Sequence, residues 1–340
     1  MSEVICFGEI MLRLAPEGFR RFVQADRFEA TYAGAEANVA VSLANMGVSS
    51  AFVSRLPQHD MGAAAMNALR RYGVDTQHIV RGGEKLGIYY VEKGASQRSS
   101  CVIYDRAGSA FQTSGRRDYN WDFIFQNARW FHFTGITPSL GDALLEICMD
   151  ACRAARERNI TVSCDLNYRS KLWRREQARA VMERLCPYVD VCIANEKDAY
   201  DIFGIDSGWD VASGEETSWE TYENVAQQLY QRFGFRWTAI TLRSSISASE
   251  NRWSGLLYDG QHFYHAPTYT IHVIDRIGSG DSFGAGLIYS GLMGTDPQQA
   301  VEFATAASCL NHSLEGDFNL VSVREINALV SGDKSGRIKR

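Results

Sequence analysis

Asp275-Arg276-Ile277-Gly278-Ser279-Gly280-Asp281-Ser282-Phe283-Gly284-Ala285-Gly286 sets two glycines and a carboxylate at the start of a helix of small residues. Gly278 and Gly280 lack a Cβ and let a ligand approach the backbone, while the first N–H groups of the helix point outward at the positive end of its dipole. Phosphate oxygens suit such a place, and Asp281 beside it can accept the proton of an attacking hydroxyl. Taken alone, the same run also reads as a structural turn capped by Asp281.

Around this run the chain alternates between short β-branched or aromatic segments and helical ones. Val4 to Phe7, Ala51 to Ser54, Trp130 to Phe133, Ile160 to Cys164, Val189 to Ile193 and Trp237 to Leu242 read as strands. Val39, Leu43 and Met46 before Gly47, and Leu144, Ile147, Cys148 and Met149 in a segment ending near Asn159, carry helical periodicity. This pattern predicts an α/β fold with a mostly parallel sheet covered on both faces, whose ligands bind at the carboxyl ends of the strands. Ile88 to Val91 and Ser100 to Tyr104 lie too close together for a crossover helix and predict an antiparallel hairpin. With Met11 to Tyr32 they form a small sheet projecting as a lid, so that segments of about 11–34 and 86–116 are inserted in one domain spanning 1–340. Asp259-Gly260 between apolar runs predicts a further hairpin from Leu256 to Phe263.

The 340 residues are 45% hydrophobic and 22% charged, an ordinary globular composition without a membrane-length apolar run. No secretory signal is visible at Met1 to Gly8, and a cytoplasmic location is expected. A net charge of -5 argues against a nucleic-acid surface, and the basic tail Lys334, Arg337, Lys339 and Arg340 reads as a solvated end. The eight cysteines contain no CxxC pair, and Cys148 and Cys152 share an apolar helix face, as reduced core thiols do; no structural metal is expected.

Gly8-Glu9, Ala33-Gly34-Ala35-Glu36-Ala37-Asn38-Val39-Ala40, Asn195-Glu196-Lys197-Asp198 and the Asp275 to Asp281 run follow one another in the order and spacing of the ribokinase-like (PfkB) carbohydrate kinases, which the chain resembles over nearly its whole length. Tyr89-Tyr90, Ile103 to Arg106, Asp165 to Trp173 and Gly316 to Ser322 are most similar to the 2-keto-3-deoxygluconate kinases of that family. The resemblance implies a three-layer α/β/α domain with a β-sheet lid, and transfer of the γ-phosphoryl of ATP, with Mg²⁺, to the terminal (C6) hydroxyl of the sugar acid. It implies Asp281 as base and the Gly278, Ser279 and Gly280 amides as anion hole. A fructokinase or other PfkB sugar kinase, or a sugar-binding regulatory module without turnover, are the competing expectations.

Arg106 at the end of a lid strand and Arg169 beyond a core strand both stand at ligand-facing edges, where two guanidiniums suit a carboxylate; as alternatives, they pair with Asp105 or Asp165 at the surface. Neutral-sugar kinases of the family commonly carry an acid soon after the first strand, whereas this chain reads Gly8-Glu9-Ile10-Met11-Leu12-Arg13. Gly34 and Asn38 are expected sugar contacts by the resemblance, and a turn and a helix cap without it. Tyr89 and Tyr104 are candidates to pack on the sugar or bond its oxygens, or core aromatics. On the nucleotide side the resemblance points to Asn195 and to Asp198 as a metal contact through water, or the run caps the helix through Phe203; Asn311 on a late small-residue helix is a candidate neighbour of the adenine, or the alanines there serve close helix packing. Arg243 stands where related kinases usually have glycine: either it pairs with ATP phosphates or its loop has moved. The exposed edges and apolar residues Ile88, Val102 and Ile103 of the lid predict a homodimer through it.

Overall fold

Val4–Phe7 is buried at every residue, as a strand covered on both faces must be. In the computed structural model, which describes residues 2–206 and 218–333, it is β1, inside a ten-stranded sheet. The basic tail at 334–340 lies outside the described residues. The remaining strands are β2 (Met11–Pro16), β3 (Phe28–Ala33), β4 (Ser50–Leu56), β5 (Ile79–Arg81), β6 (Ile88–Glu92), β7 (Cys101–Asp105), β8 (Trp130–Thr134), β9 (Thr161–Asp165), β10 (Val191–Ala194), β11 (Trp237–Ser245), β12 (Glu250–Tyr258), β13 (Phe263–His265) and β14 (Tyr269–His272). The helices are α1 (Ala35–Asn45), α2 (Asp60–Arg70), α3 (Trp121–Ile124), α4 (Ile136–Ser139), α5 (Asp142–Glu157), α6 (Arg175–Leu185), α7 (Glu196–Phe203), α8 (Trp219–Phe233), α9 (Ser279–Met293), α10 (Pro297–Asn311) and α11 (Val323–Val330).

The large sheet runs β13-β12-β11-β10-β9-β8-β1-β4-β5, with β14 also on β12. Pairing is parallel from β11 through β5 and antiparallel where β12 joins β11, β13 and β14. Alternation along β1 divides the core: Ile5 and Phe7 pack with residues of α5, α6 and α8, Val4 and Cys6 with residues of α1, α9 and α10. The result is the three-layer α/β/α arrangement with every parallel strand ending on one rim.

A second sheet, in the order β3-β2-β6-β7, supplies the predicted lid. The hairpin β6/β7 is antiparallel with Tyr89 opposite Tyr104, and β2 joins β6 in parallel. The Asp259-Gly260 hairpin also forms, with Tyr258 opposite Phe263. The polar run beyond Leu242 differs from expectation: β11 continues to Ser245 because β12 supplies a ladder, in which Arg243 faces Trp253. All the cysteines are free; most are buried, but Cys101 on the lid is exposed and Cys309 half-buried.

Helices α9 and α10 pack through small residues. A Cβ on Gly286 would stand 2.6 Å from Ala304 Cα, a separation that backbone must move to relieve, whereas one on Gly280 would meet nothing. Gly286→Val is therefore expected to destabilise the fold by about 1–3 kcal/mol and Gly280→Ala by no more than about 0.5 kcal/mol. Urea unfolding of both variants measures this, and equal losses would contradict the packing account.

Candidate active site

The carboxyl ends of β1, β9, β10 and β11, the underside of the lid and the N-terminus of α9 enclose a cavity of about 600 Å³. At its floor Gly278 caps α9 with φ +83°, a left-handed conformation, and a Cβ there would run into the Asp317 carbonyl oxygen. Two constraints thus demand glycine at 278. Neither applies at Gly280, whose missing side chain leaves open space at the first turn of the helix, where amides have no partner within the helix.

Asp281 follows in the same turn. Its Oδ2 accepts from Asn38 Nδ2 at 2.6 Å, and Asn38 Oδ1 accepts from the Gly34 amide at 3.4 Å. Asn38 thus ties the α9 terminus to its own helix start with a second Nδ2 hydrogen left over, and is not the cap of α1, a place Gly34 holds. Loss of solvent is the main cause that raises the Asp281 carboxyl to about 7; the Asn38 bond opposes it, and the fields of Asp317 and Glu36 add to it. A carboxyl poised there exchanges protons near neutral pH. A Cβ on Gly34 would strike the Glu9 carbonyl, so close packing of α1 on the turn after β1 already requires this glycine.

Gly34, Asn38, Tyr89, Tyr104, Arg106 and Arg169 all line the cavity on the lid side, and Asn195, Asp198, Arg243, Gly278, Ser279 and Gly280 line the other. The arginines differ from each other. Arg106 Nε donates to Glu9 Oε2 at 2.8 Å and its Nη2 bonds the same oxygen; the pair is buried, and Asp105 instead pairs with Lys85. Arg169 makes no ion pair among the described residues and donates Nη1 to the Tyr168 carbonyl at 3.2 Å. Neither surface pairing considered from sequence forms.

Tyr89 is buried and donates its hydroxyl to Asp317 Oδ2 at 2.6 Å, stacking on the half-exposed Tyr104 with ring centroids 6.1 Å apart. Asp317 also receives Arg13 Nη1 at 2.6 Å, while Arg13 Nη2 bonds Asp275 Oδ2 at 2.5 Å. These buried bonds fasten β2 to the loop that opens α9 through Asp275, and both β2 and β6 of the lid to the segment between α10 and α11 through Asp317. Sequence reasoning assigned no role to Glu9, Arg13 or Asp317. The available signal was a lone arginine between Leu12 and Leu14 in an apolar strand, since a buried guanidinium requires an anionic partner.

At the nucleotide end, Asn195 caps α7 through its Oδ1, which accepts from the Asp198 amide at 2.8 Å. Asp198 Oδ1 accepts from the Tyr168 amide at 3.1 Å, and burial above all, against the field of Arg169, lifts this carboxyl to about 6. Asp165, also on the cavity wall, is raised by burial and by the charges of Asp198 and Asp281. Among the described residues no group of three or more His, Cys, Asp or Glu is placed to hold an ion by itself. The chemistry of the donor set still fits a hydrated Mg²⁺: Asp198 lines the cavity and forms no ion pair among the described residues, and such an ion keeps most of its waters and takes few protein ligands. Asn311 stands apart from the cavity lining. It is buried off the cavity, and its Nδ2 donates to the Ile277 carbonyl at 3.3 Å, bracing the loop before α9 from behind.

This geometry coincides with what similarity to known proteins indicates. The family model for pfkB family carbohydrate kinases matches residues 1–321, and the chain belongs to that family. The crystal structure of 2-dehydro-3-deoxygluconokinase from Thermotoga maritima is 48% identical, covers 98% of both chains and superposes with a TM-score of 0.93. A 2-dehydro-3-deoxygalactonokinase of Haloferax volcanii is 32% identical over 98% of each chain, and a 2-dehydro-3-deoxygluconokinase of Thermoproteus tenax 29% identical over 97% of this chain and 94% of its own.

Because the native Asp281 carboxyl holds its proton up to about pH 7, whereas an unfolded aspartic acid loses it near 3.9, the folded state binds the extra proton between these values. Its contribution to stability is therefore greatest below about pH 4 and is lost as pH rises through about 7. Asp281→Asn is expected to raise the melting temperature at pH 8 and to do so less at pH 5. A variant melting below wild type at pH 8 would contradict the burial of an ionised carboxylate at this position.

Proposed function

We propose that the protein is an ATP-dependent kinase that phosphorylates the terminal (C6) hydroxyl of 2-keto-3-deoxygluconate. The observation that carries the reading is a carboxyl raised to about 7 in the first turn of a cavity-lining helix, with an unpaired arginine on the same cavity wall. Asp281 takes the hydroxyl proton as the oxygen attacks the γ-phosphorus and ADP leaves. The amides of Gly278, Ser279 and Gly280 face the charge that develops on the transferred group, and the open space at Gly280 admits its oxygens. Asn38 orients Asp281, leaving the oxygen it does not hold for the substrate. Asn195 and Asp198 would hold Mg²⁺ through water; when bound, this ion offsets phosphate charge.

Arg169 takes the substrate carboxylate, and Arg106, whose charge Glu9 balances, keeps only Nη1 outside its pair to orient the same group. Tyr89 and Tyr104 form the lid-side wall against the sugar carbons. Relatives named for both the gluco and the galacto keto acid support this acceptor class over neutral sugars. A cytoplasmic location accords with the use of ATP. A homodimer through the lid is supported by the unpaired edges of β3 and β7 and by exposed Phe28 and Ile103. Size-exclusion chromatography with light scattering that returned a monomer mass would reject the dimer.

An ATP-coupled assay over sugar acids and neutral sugars is expected to give the keto acid the highest kcat/KM, and faster turnover of fructose or ribose would refute the assignment. Asp281→Asn should lower kcat by roughly 10²–10⁴. The wild-type kcat/KM should fall by about tenfold per pH unit below the value of about 7 at which Asp281 takes up its proton. Arg169→Leu is expected to raise the KM for the keto acid by about tenfold or more, and an unchanged KM would remove Arg169 from the carboxylate site.

A further inference from the structure

Arg243 and Arg276 both line the cavity where β11 and the loop before α9 meet, and neither forms an ion pair among the described residues. Arg243 lies over the face of Trp253, its guanidinium carbon 4.8 Å from the ring centroid. Its Nη2 donates to Ser279 Oγ at 2.8 Å and stands 3.4 Å from His312 Nε2. His312 is buried against Trp253, and burial together with the Arg243 charge lowers its pKa to about 4. A neutral ring with Nδ1 at 2.8 Å from the Ser308 carbonyl donates there and leaves Nε2 to accept from Arg243. Arg276 is held by Asn251, whose amide oxygen, in the orientation its neighbours require, accepts from Nη2 at 3.2 Å.

These contacts hold two like charges side by side, which costs free energy unless an anion joins them. Three buried donors around the spot, Arg243 Nε, Arg276 Nε and Trp253 Nε1, have no acceptor, although Trp253 is only 3% exposed. Glu196, also on the cavity wall, acts on Arg243 through its field but forms no ion pair with it, so these orphaned donors beside two guanidiniums without ion-pair partners among the described residues suit an oxyanion. Ser279 touches both this cluster and the first turn of α9, so an anion here adjoins the one at the helix terminus.

We propose that Arg243 and Arg276 form a second anion subsite that binds the β-phosphate of the nucleotide and neutralises the charge arriving on it as the β–γ oxygen bridge breaks. This rests on the kinase reading above. In the step, the bond from the γ-phosphorus to the bridging oxygen breaks with its electrons moving to the β-phosphate, while the acceptor oxygen bonds the γ-phosphorus and gives its proton to Asp281. Fixed cations beside the leaving group then act most in the transition state, and ADP binds far more firmly than AMP, which lacks the β-phosphate.

Titration calorimetry of the full chain with ADP and with AMP, with and without Mg²⁺, tests this on wild type, Arg243→Met, Arg276→Gln and Arg243→Lys, the last retaining the charge. The expected result is a loss of about tenfold or more in ADP affinity for the Met and Gln variants, unchanged AMP affinity, partial rescue by Lys, and a kcat that falls more than KM rises. An unchanged ratio of ADP to AMP affinity in correctly folded Met and Gln variants would overturn the subsite. Equal losses of ADP and AMP affinity would also overturn it, by showing a structural role. Wild type that binds neither nucleotide and turns over nothing would instead defeat the kinase reading, so the two failures are distinguishable.

Discussion

A single side-chain hydrogen bond, from Asn38 Nδ2 to Asp281 Oδ2, joins the first turns of α1 and α9, and the rest of the cavity is arranged about it. Removing a carboxyl from water beside other acids drives its pKa up, and the Asn38 donor and the field of Arg169 oppose that. The balance leaves the group near 7, where it can both receive and release a proton. The starts of the two helices are fixed by close backbone packing, Gly278 on the Asp317 carbonyl and Gly34 on that of Glu9. The glycines therefore act first through packing, and their openness to ligand follows from it.

Charge in the cavity is partitioned. Toward the lid, Arg106 is neutralised by Glu9 and Arg13 by Asp275 and Asp317, so those guanidiniums serve mainly to hold strands in place. Truncating one partner of such a buried pair is costlier than the pair is worth, because the remaining charge stays buried. Arg169, Arg243 and Arg276 are left without ion-pair partners among the described residues, and all three line the cavity. Burial lowers Arg243 to about 10, with Arg276 adding to the effect, so it remains charged at neutral pH.

Much of this was legible in the sequence. The strands, the lid hairpin and the glycine-bearing start of α9 follow from local periodicity and from the steric demands of glycine, which depend on few neighbours. What periodicity could not supply was partner choice. Arg106 turned to Glu9, nearly a hundred residues away along the chain, and Arg13 to Asp275 and Asp317, because long-range pairing is decided by how the two sheets meet. Asn311 sits on a small-residue helix as expected, and its bond to the Ile277 carbonyl is a tertiary partner that alanine-rich surroundings do not reveal. Arg243 was read beside a loop and lies instead in a continuous strand, since only the tertiary ladder with Trp253 shows that β11 is extended there.

The most direct test is a crystal structure of the protein with ADP, a planar phosphoryl mimic such as aluminium fluoride, and the keto acid. The account predicts the acceptor hydroxyl within about 3.2 Å of an Asp281 oxygen, with the amides at the start of α9 on the fluoride ligands. A hydroxyl held by another group, with Asp281 still bonded only to Asn38, would contradict it.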